Sequence, residues 1–126
     1  MILIEQVAQV LSNAGLGTIG SNIFLGTQPE TPDNCISVHD TGGVEPSIDY
    51  NDKMPTFQVL IRNTSYETAK TNLDTVRTTL HQHRNAVLVS GQTYFYYIYL
   101  IAEGGYIGRD ENGRDVFSVN FRCKTR

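Results

Sequence analysis

Three glycines near the start of the chain have the spacing of a nucleotide-binding loop. Gly15, Gly17 and Gly20 form the pattern G-x-G-x-x-G, and Asp40 follows at the distance expected of a ribose-binding acid. Such a loop binds phosphate because the N-terminus of the helix after it points backbone N–H groups at the anion. Here the glycines follow a predicted helix and lead into a strand and two prolines. We therefore interpret them as a helix stop and a flexible turn.

The histidines and cysteines have spacings that do not suit metal or nucleophilic chemistry. His81 and His83 stand two apart on a predicted helix and so point to different faces. Cys35 and His39 share one face of a predicted strand, but four residues along a strand separate them by about 13 Å. Cys35 and Cys123 are too few and too far apart for a zinc site or a disulfide framework, and we expect buried thiols. The sequence predicts no catalytic residue, no metal, no cofactor and no enzyme activity.

Two helices follow from the apolar spacing. Leu3, Val7, Val10, Leu11 and Ala14 recur at helical intervals and predict a helix over residues 2–13 that stops at Gly15. Thr64 begins a T-x-x-E capping box with Glu67. An apolar stripe then predicts a helix of about 20 residues that lies across a sheet, through Ala69, Leu73, Val76, Leu80 and His83.

Six strands are predicted around these helices, over residues 22–25, 35–40, 57–62, 86–89, 94–102 and 116–123. This order predicts an α+β fold: a mostly antiparallel sheet with one long helix packed across it and a short N-terminal helix. We expect a single domain over residues 1–126. Residues 41–55 contain two glycines and two prolines. They predict a long flexible loop of the kind that usually has a function.

The strand over residues 94–102 is apolar on both faces. One face carries Tyr94, Tyr96, Ile98 and Leu100, and the other carries Phe95, Tyr97, Tyr99 and Ile101. The long helix can cover only one of them. We expect the other to be covered by the first helix or by a neighbouring subunit.

Residues 106–121, YIGRDENGRDVFSVNF, predict a β-hairpin whose register is chosen by its charges. A two-residue turn at Asn112-Gly113 would place Asp110 opposite Asp115. A three-residue turn with Gly113 left-handed instead pairs opposite charges, each pair worth about 0.2–1 kcal/mol. It would set Asp110 against Arg114, Arg109 against Asp115, and Ile107 against Phe117.

The net charge of −3 hides an asymmetry along the chain. Residues 1–62 hold seven acidic and two basic residues, whereas residues 63–126 hold six acidic and eight basic ones. This distribution argues against a general nucleic-acid-binding protein, which needs a clustered basic face. It is compatible with head-to-tail packing of identical copies, and equally with a fold that interleaves the two halves. The sequence predicts neither a signal peptide nor a membrane span.

Several segments together resemble the tail terminators of long-tailed bacteriophages, including the group called minor capsid proteins. They are the long loop before PTFQVLIRN, the helix SYETAKTNLDTVRTTLHQH, the tyrosine-rich strand and the closing GRDENGRDVFSVNFRCK. The resemblance covers essentially the whole chain, and the final hairpin is its most specific part. It implies a structural virion protein that forms a homohexameric ring. The ring would cap the tail tube, stop its polymerisation, and contact the head–tail connector proteins.

The resemblance also gives the unexplained residues a use. It implies a subunit interface that includes Ile48, Tyr50, Met54, Tyr97 and Tyr99. DNA would pass through the ring without specific binding, and no membrane is involved. Because no lysine or arginine precedes Lys53, we expect an acidic lumen built from Glu45, Asp49 and Asp52, with Glu30 and Asp33 as further candidates. The expected location is the virion, and the host cytoplasm during assembly.

Two alternatives stay open. A neck or head-completion protein is another ring former of similar size. A monomeric binding module that grips a small ligand with residues 41–55 belongs to a different class.

Overall fold

The computed structural model describes residues 1–43, 45, 52–81 and 83–126. Two helices and seven strands follow one another along the chain: α1 Leu3–Asn13, β1 Ile23–Leu25, β2 Cys35–Asp40, β3 Thr56–Asn63, α2 Tyr66–Leu80, β4 His83–Val87, β5 Tyr94–Leu100, β6 Gly105–Arg109 and β7 Asp115–Thr125.

The strands form one mixed sheet in the order β1-β2-β3-β7-β5-β4. β1 is parallel to β2, and the other neighbouring strands are antiparallel. The central strand, β7, pairs with β3 along one edge. Its other edge is shared, because β6 pairs with its first half and β5 with its second half. β3, β5, β6 and α2 all contact β7.

Both helices pack on one face of the sheet, which we call the inner face. β7 alternates in burial over its whole length, as expected when one face of a strand lies against a core. Its inner residues Phe117, Val119, Phe121 and Cys123 belong to the same core cluster as α1 and α2. The Phe121 ring stacks on Phe57 at 5.1 Å between centroids. Truncating so large a buried side chain to alanine typically costs about 3–5 kcal/mol.

The predicted fold class is wrong. Strands rather than one long helix dominate the chain, the sheet is mixed, and the two helices have 11 and 15 residues. α2 is shorter than predicted because the backbone leaves the helical conformation at His81, which is extended with ψ of 139°. There the His81 Nδ1 atom accepts a hydrogen bond from the Leu100 N–H at 3.0 Å. His83 then belongs to β4, and the cap of α2 is Ser65 rather than Thr64.

The final hairpin has the predicted charge pairs. Arg109 lies opposite Asp115, and the Asp110 carboxylate accepts from the Arg114 Nε at 2.7 Å. Gly113 has φ of 75°, the left-handed conformation that the three-residue turn needs. The apolar pair was predicted wrongly, because a bulge shifts the register and Tyr106 rather than Ile107 faces Phe117.

A second bulge interrupts β5 and changes which side chains share a face. The pairing with β7 shifts between Phe95 and Tyr97, and Asn85 on the neighbouring β4 has a positive φ of 49°. Bulges of this kind re-aim side chains. As a result Phe95 and Ile98 are both buried in the core, whereas simple alternation placed them on opposite faces. Tyr97 pairs with Lys124, away from the core.

Candidate assembly surface

The sheet face away from the helices, which we call the outer face, carries an aromatic and basic row at one end. Cross-strand pairing places Arg84 on β4, Tyr97 on β5 and Lys124 on β7 side by side. One step along, Tyr99 pairs with Arg122, which pairs in turn with Thr56. We call the five residues Arg84, Tyr97, Tyr99, Arg122 and Lys124 the tyrosine–basic row.

The cations at this end of the sheet contact tyrosine rings. The Arg126 guanidinium lies 4.6 Å from the centroid of the Tyr94 ring, and the Lys124 Nζ lies 5.7 Å from that of Tyr96. Within the row, Arg122 donates to the Tyr99 hydroxyl at 3.4 Å. Such contacts hold the rings and the charges together on a surface that solvent still reaches.

A surface groove runs along the β4 edge beside the row. Its volume is about 460 Å³, and its lining includes Arg84, Asn85, Tyr96, Tyr97 and Tyr99. Among the described strands β4 has β5 as its only neighbour, so the groove opens at an edge that none of them pairs with. A surface with aromatic rings, a basic side chain and a free strand edge suits another protein chain as its occupant.

The middle of the outer face carries uncharged polar groups. His39, Gln58 and Asn120 lie opposite one another on β2, β3 and β7. Burial lowers the pKa of His39 below its ordinary value. The ring is therefore neutral at neutral pH, and its Nε2 atom lies 2.8 Å from the Ser37 hydroxyl.

The opposite end of the outer face is covered by the loop that leads into β2, and Arg62 holds this loop. Arg62 is 3% exposed. Its Nε donates to the Asp33 carbonyl at 3.1 Å, and one Nη donates to the carbonyls of Pro32, at 2.7 Å, and Pro29. A planar guanidinium can bridge several carbonyls in this way, whereas a lysine ammonium cannot reach them in the same geometry.

Arg114 holds the same loop from the other side. It is also 3% exposed, and it donates to the Glu30 carbonyl and to the carboxylates of Glu30 and Asp110. Hydrogen bonds from the backbone and side chain of Arg114 hold the pKa of the Asp110 carboxyl below its ordinary value. The loop and the hairpin tip are thereby joined, and Asn112 adds a hydrogen bond to Glu30 at 3.1 Å.

These contacts leave carboxylates on the outside and guanidiniums on the inside. The side chains of Glu30 and Asp33 are 81% and 62% exposed, whereas that of Arg114 is 3% exposed. Glu111, at the hairpin apex, is exposed as well. We call Glu30, Asp33 and Glu111 the acidic clasp. It lies at the Asp115 end of β7, and the tyrosine–basic row lies at the Thr125 end.

Beside the clasp, Asp115 links the hairpin to an aromatic cluster on the inner side. Its carboxylate accepts from Arg109 at 3.3 Å and from the Tyr106 hydroxyl at 2.8 Å, and these bonds hold the pKa of Asp115 below its ordinary value. The Tyr106 ring contacts Tyr66 and Phe117, with centroids 5.4 and 5.3 Å away. The base of the hairpin is thus fixed to the start of α2.

Comparison with known proteins identifies the kind of assembly to which these surfaces belong. The model of a family described as bacteriophage tail terminator protein matches residues 10–126. The chain belongs to this family. It is a structural protein of a phage-type virion. The two ends of the outer face are therefore surfaces of a tail terminator.

A solved structure supports the fold of this terminator. A chain from "Virion of native gene transfer agent (GTA) particle" matches with a TM-score of 0.65 over 98% of this chain and 93% of that one. The two sequences are 14% identical, so the likeness concerns the fold. None of the curated proteins matches the terminator sequence.

Three of the five predicted interface residues of the terminator lie within the described part of the chain. Tyr97 and Tyr99 are half-buried in the tyrosine–basic row, with ring centroids 5.3 Å apart. Met54 is half-buried where the long loop returns to the sheet, close to Gly43. Ile48 and Tyr50 lie outside the described residues. Among the three described members of this set, the structure brings Tyr97 and Tyr99 together.

The predicted lumen acids are also only partly described. Glu45 is exposed, and Asp49 lies outside the described residues. The Asp52 carboxylate lies 3.4 Å from the Lys124 Nζ, so a lysine offsets its charge. Glu30 and Asp33, the further candidates, lie in the acidic clasp.

The residues first considered for chemistry have structural roles. Gly15, Gly17 and Gly20 all have positive φ in the turn after α1. Cys35 and Cys123 are buried free thiols, as predicted, and burial raises the pKa of Cys123 to about 12. Within the described ranges, no cluster of three or more His, Cys, Asp or Glu could hold a metal. In the same ranges, no helix is long and apolar enough to span a membrane.

Sequence reasoning missed the two buried arginines. One signal for Arg62 was available, because β2 reads Cys-Ile-Ser-Val and is buried on both faces, so something had to cover its outer face. The covering loop contains Pro29 and Pro32 and pairs with none of the described strands. Its carbonyls therefore needed donors from side chains.

Proposed function

We propose that this terminator forms a homohexameric ring that caps the finished tail tube and joins it to the head–tail connector proteins. The family match over residues 10–126 is the observation that carries the proposal. The described surfaces support it, because an acidic end and a basic end on one face suit the repeated contact of identical copies. The ring needs no catalytic residue, and it acts by shape and by the surfaces it offers.

We assign the predicted contact residues to the interface between neighbouring subunits of this ring. We place Tyr97 and Tyr99 at a contact between subunits, since half-buried aromatic side chains gain most from being covered by a partner. Met54 belongs to the same proposal, together with Ile48 and Tyr50 of the long loop. The ring assembles in the host cytoplasm before the tail joins the head.

The lumen of the ring is proposed to be acidic. Glu45 and Asp49 supply most of the negative charge there, because Lys124 offsets that of Asp52. A lining with more carboxylates than cations repels phosphates, so a passing duplex is not retained. Changing Glu45 and Asp49 together to lysine should give particles of normal appearance that deliver DNA poorly. Loss of assembled tails would place the two residues at an interface instead.

The function as a terminator is tested by removing the gene from the producing phage and measuring tails by electron microscopy. A tube without its terminator keeps growing, so tails of variable and excessive length without heads are expected. Tails of normal length that fail to join heads would indicate a neck protein instead. Normal infectious particles would contradict both functions.

A further inference from the structure

The two ends of the outer face differ in what they expose. In the acidic clasp the guanidiniums of Arg62 and Arg114 are buried under the loop, and the exposed groups are carboxylates. In the tyrosine–basic row Arg84 is exposed and Lys124 is half-exposed beside tyrosine rings. The Asp52 carboxylate, 3.4 Å from the Lys124 Nζ, offsets only part of that positive charge.

The two ends lie too far apart to contact each other within one molecule. β7 runs between them, and eleven extended residues span roughly 34 Å. The polar stripe of His39, Gln58 and Asn120 separates them. The charge of each end is therefore available to a second molecule.

We infer that the acidic clasp of one copy docks on the tyrosine–basic row of the next copy. This inference rests on the proposed ring and names its contact. Complementary charge favours the pairing over a symmetric contact, which would set clasp against clasp or row against row. The groove of about 460 Å³ at the β4 edge provides a concave receptor for the hairpin apex. A contact between unlike patches is heterologous, and its repetition closes a ring when the rotation allows.

The internal bonds of the clasp prepare it for this role. Arg62 and Arg114 fix the loop backbone, and Asn112 ties the hairpin tip to Glu30. The exposed carboxylates are therefore presented on ordered backbone, so less conformational entropy is lost on docking. In the row, the contact of Lys124 with the Tyr96 ring and the hydrogen bond from Arg122 to the Tyr99 hydroxyl have the same effect.

The chain contains only three lysines, Lys53, Lys70 and Lys124, which makes the contact testable by zero-length cross-linking. A carbodiimide joins a carboxylate to an amine only when the two touch. Mixing ¹⁵N-labelled with unlabelled full-length protein distinguishes intermolecular products in the mass spectrum. Clasp carboxylates should couple to Lys124 or Lys53 of another copy, both at the basic end. Lys70 lies on α2 and serves as an internal control.

We expect roughly tenfold more intermolecular products at Lys124 and Lys53 together than at Lys70, the ratio that two or three favourable charge pairs provide. High ionic strength should reduce the difference, because surface charges are screened. Glu111→Gln should lower the yield, whereas Glu67→Gln, the same change at an exposed position on α2, should leave it unchanged.

Intermolecular products that spread equally over the three lysines, or that join Lys70 of one copy to α2 carboxylates of another, would overturn the inference. A complete absence of intermolecular products under these conditions would overturn it too. Neither result bears on the terminator function, which the tail-length experiment decides separately. Conversely, specific products from a protein whose removal leaves tails normal would support the contact and reject the function.

Discussion

Replacing Arg62 by methionine tests how the covering loop is held. Arg62 donates to the carbonyls of Pro29, Pro32 and Asp33 and is 3% exposed. Hydrogen bonds from charged donors contribute about 1.5–3 kcal/mol each, but they are not additive, and water can reach loop carbonyls once the donor is gone. We expect a net loss of about 3 kcal/mol in the free energy of unfolding.

That loss converts into a measurable shift of the melting temperature. At about 2.1 cal/mol/K per residue, the entropy of unfolding of a chain of this length gives a shift of roughly 4 °C for each kcal/mol. Arg62→Met should therefore melt roughly 10 °C below the parent protein. Methionine retains much of the arginine side-chain volume, so the shift reports on the hydrogen bonds rather than on a cavity.

The matched control is Arg84→Met, the same change at an exposed position of the outer face. Surface substitutions usually stay within about 0.5 kcal/mol, so its melting temperature should hardly move. Urea titrations at low protein concentration give both free energies, and hydrogen exchange follows the amides of residues 27–34. Equal losses in the two variants, with unchanged exchange in the loop, would refute the role assigned to Arg62.

Three further outcomes follow from the described contacts. Gly43→Ala should be less stable than Gly42→Ala in urea titrations. Both glycines have a positive φ, which costs alanine about 1–3 kcal/mol at either position. Of the two, only Gly43 would place its new Cβ against backbone, 2.5 Å from the Met54 carbonyl oxygen. Equal losses would contradict that close approach. The free energy of unfolding should fall as the pH drops below about 4, because hydrogen bonds, first of all that from Arg109, lower the pKa of Asp115 in the folded protein. The stabilisation by the Asp115 carboxylate is complete above the pKa of the unfolded state and is lost as the pH falls through the pKa of the folded state. Asp115→Asn should weaken this dependence, and an unchanged acid titration would argue against it. Burial raises the pKa of Cys123 to about 12, so thiol reagents should label it only at the rate of unfolding, and rapid labelling in native buffer would refute its burial.

The parts of the fold that sequence predicted well are those decided by neighbouring residues. The apolar spacing of α1 places the helix within one residue of its observed start, and β2 has the predicted bounds. The charge pairing at the hairpin turn also followed, since Asp110 and Arg114 are only four positions apart. In each case the deciding interactions lie within a few residues of one another.

The wrong predictions depended on partners distant in sequence. His83 fits the helical stripe by spacing, but its backbone pairs with Ile98 on β5, and its ring stays near α2 through the Thr79 carbonyl. The bulge in β5 is defined by the unequal register of its pairing with β7, and this cannot be read from β5 alone. The acidic clasp likewise needed Arg62 and Arg114, which follow the loop by about 30 and 80 positions.

The shared edge of β7 has a consequence for how the protein is made. β7 is synthesised after both described helices and the six other described strands, yet it separates β3 from β5 and β6 in the sheet. Until it emerges from the ribosome, β3 presents an unpaired edge and the apolar residues Phe57, Val59 and Ile61. Before β7 is added, β1, β2 and β3 can pair in one group and β4 and β5 in another, but no described strand joins the two groups, and β6 waits for its partner. Insertion of β7 joins both groups into one sheet, so the complete sheet forms in a single late step.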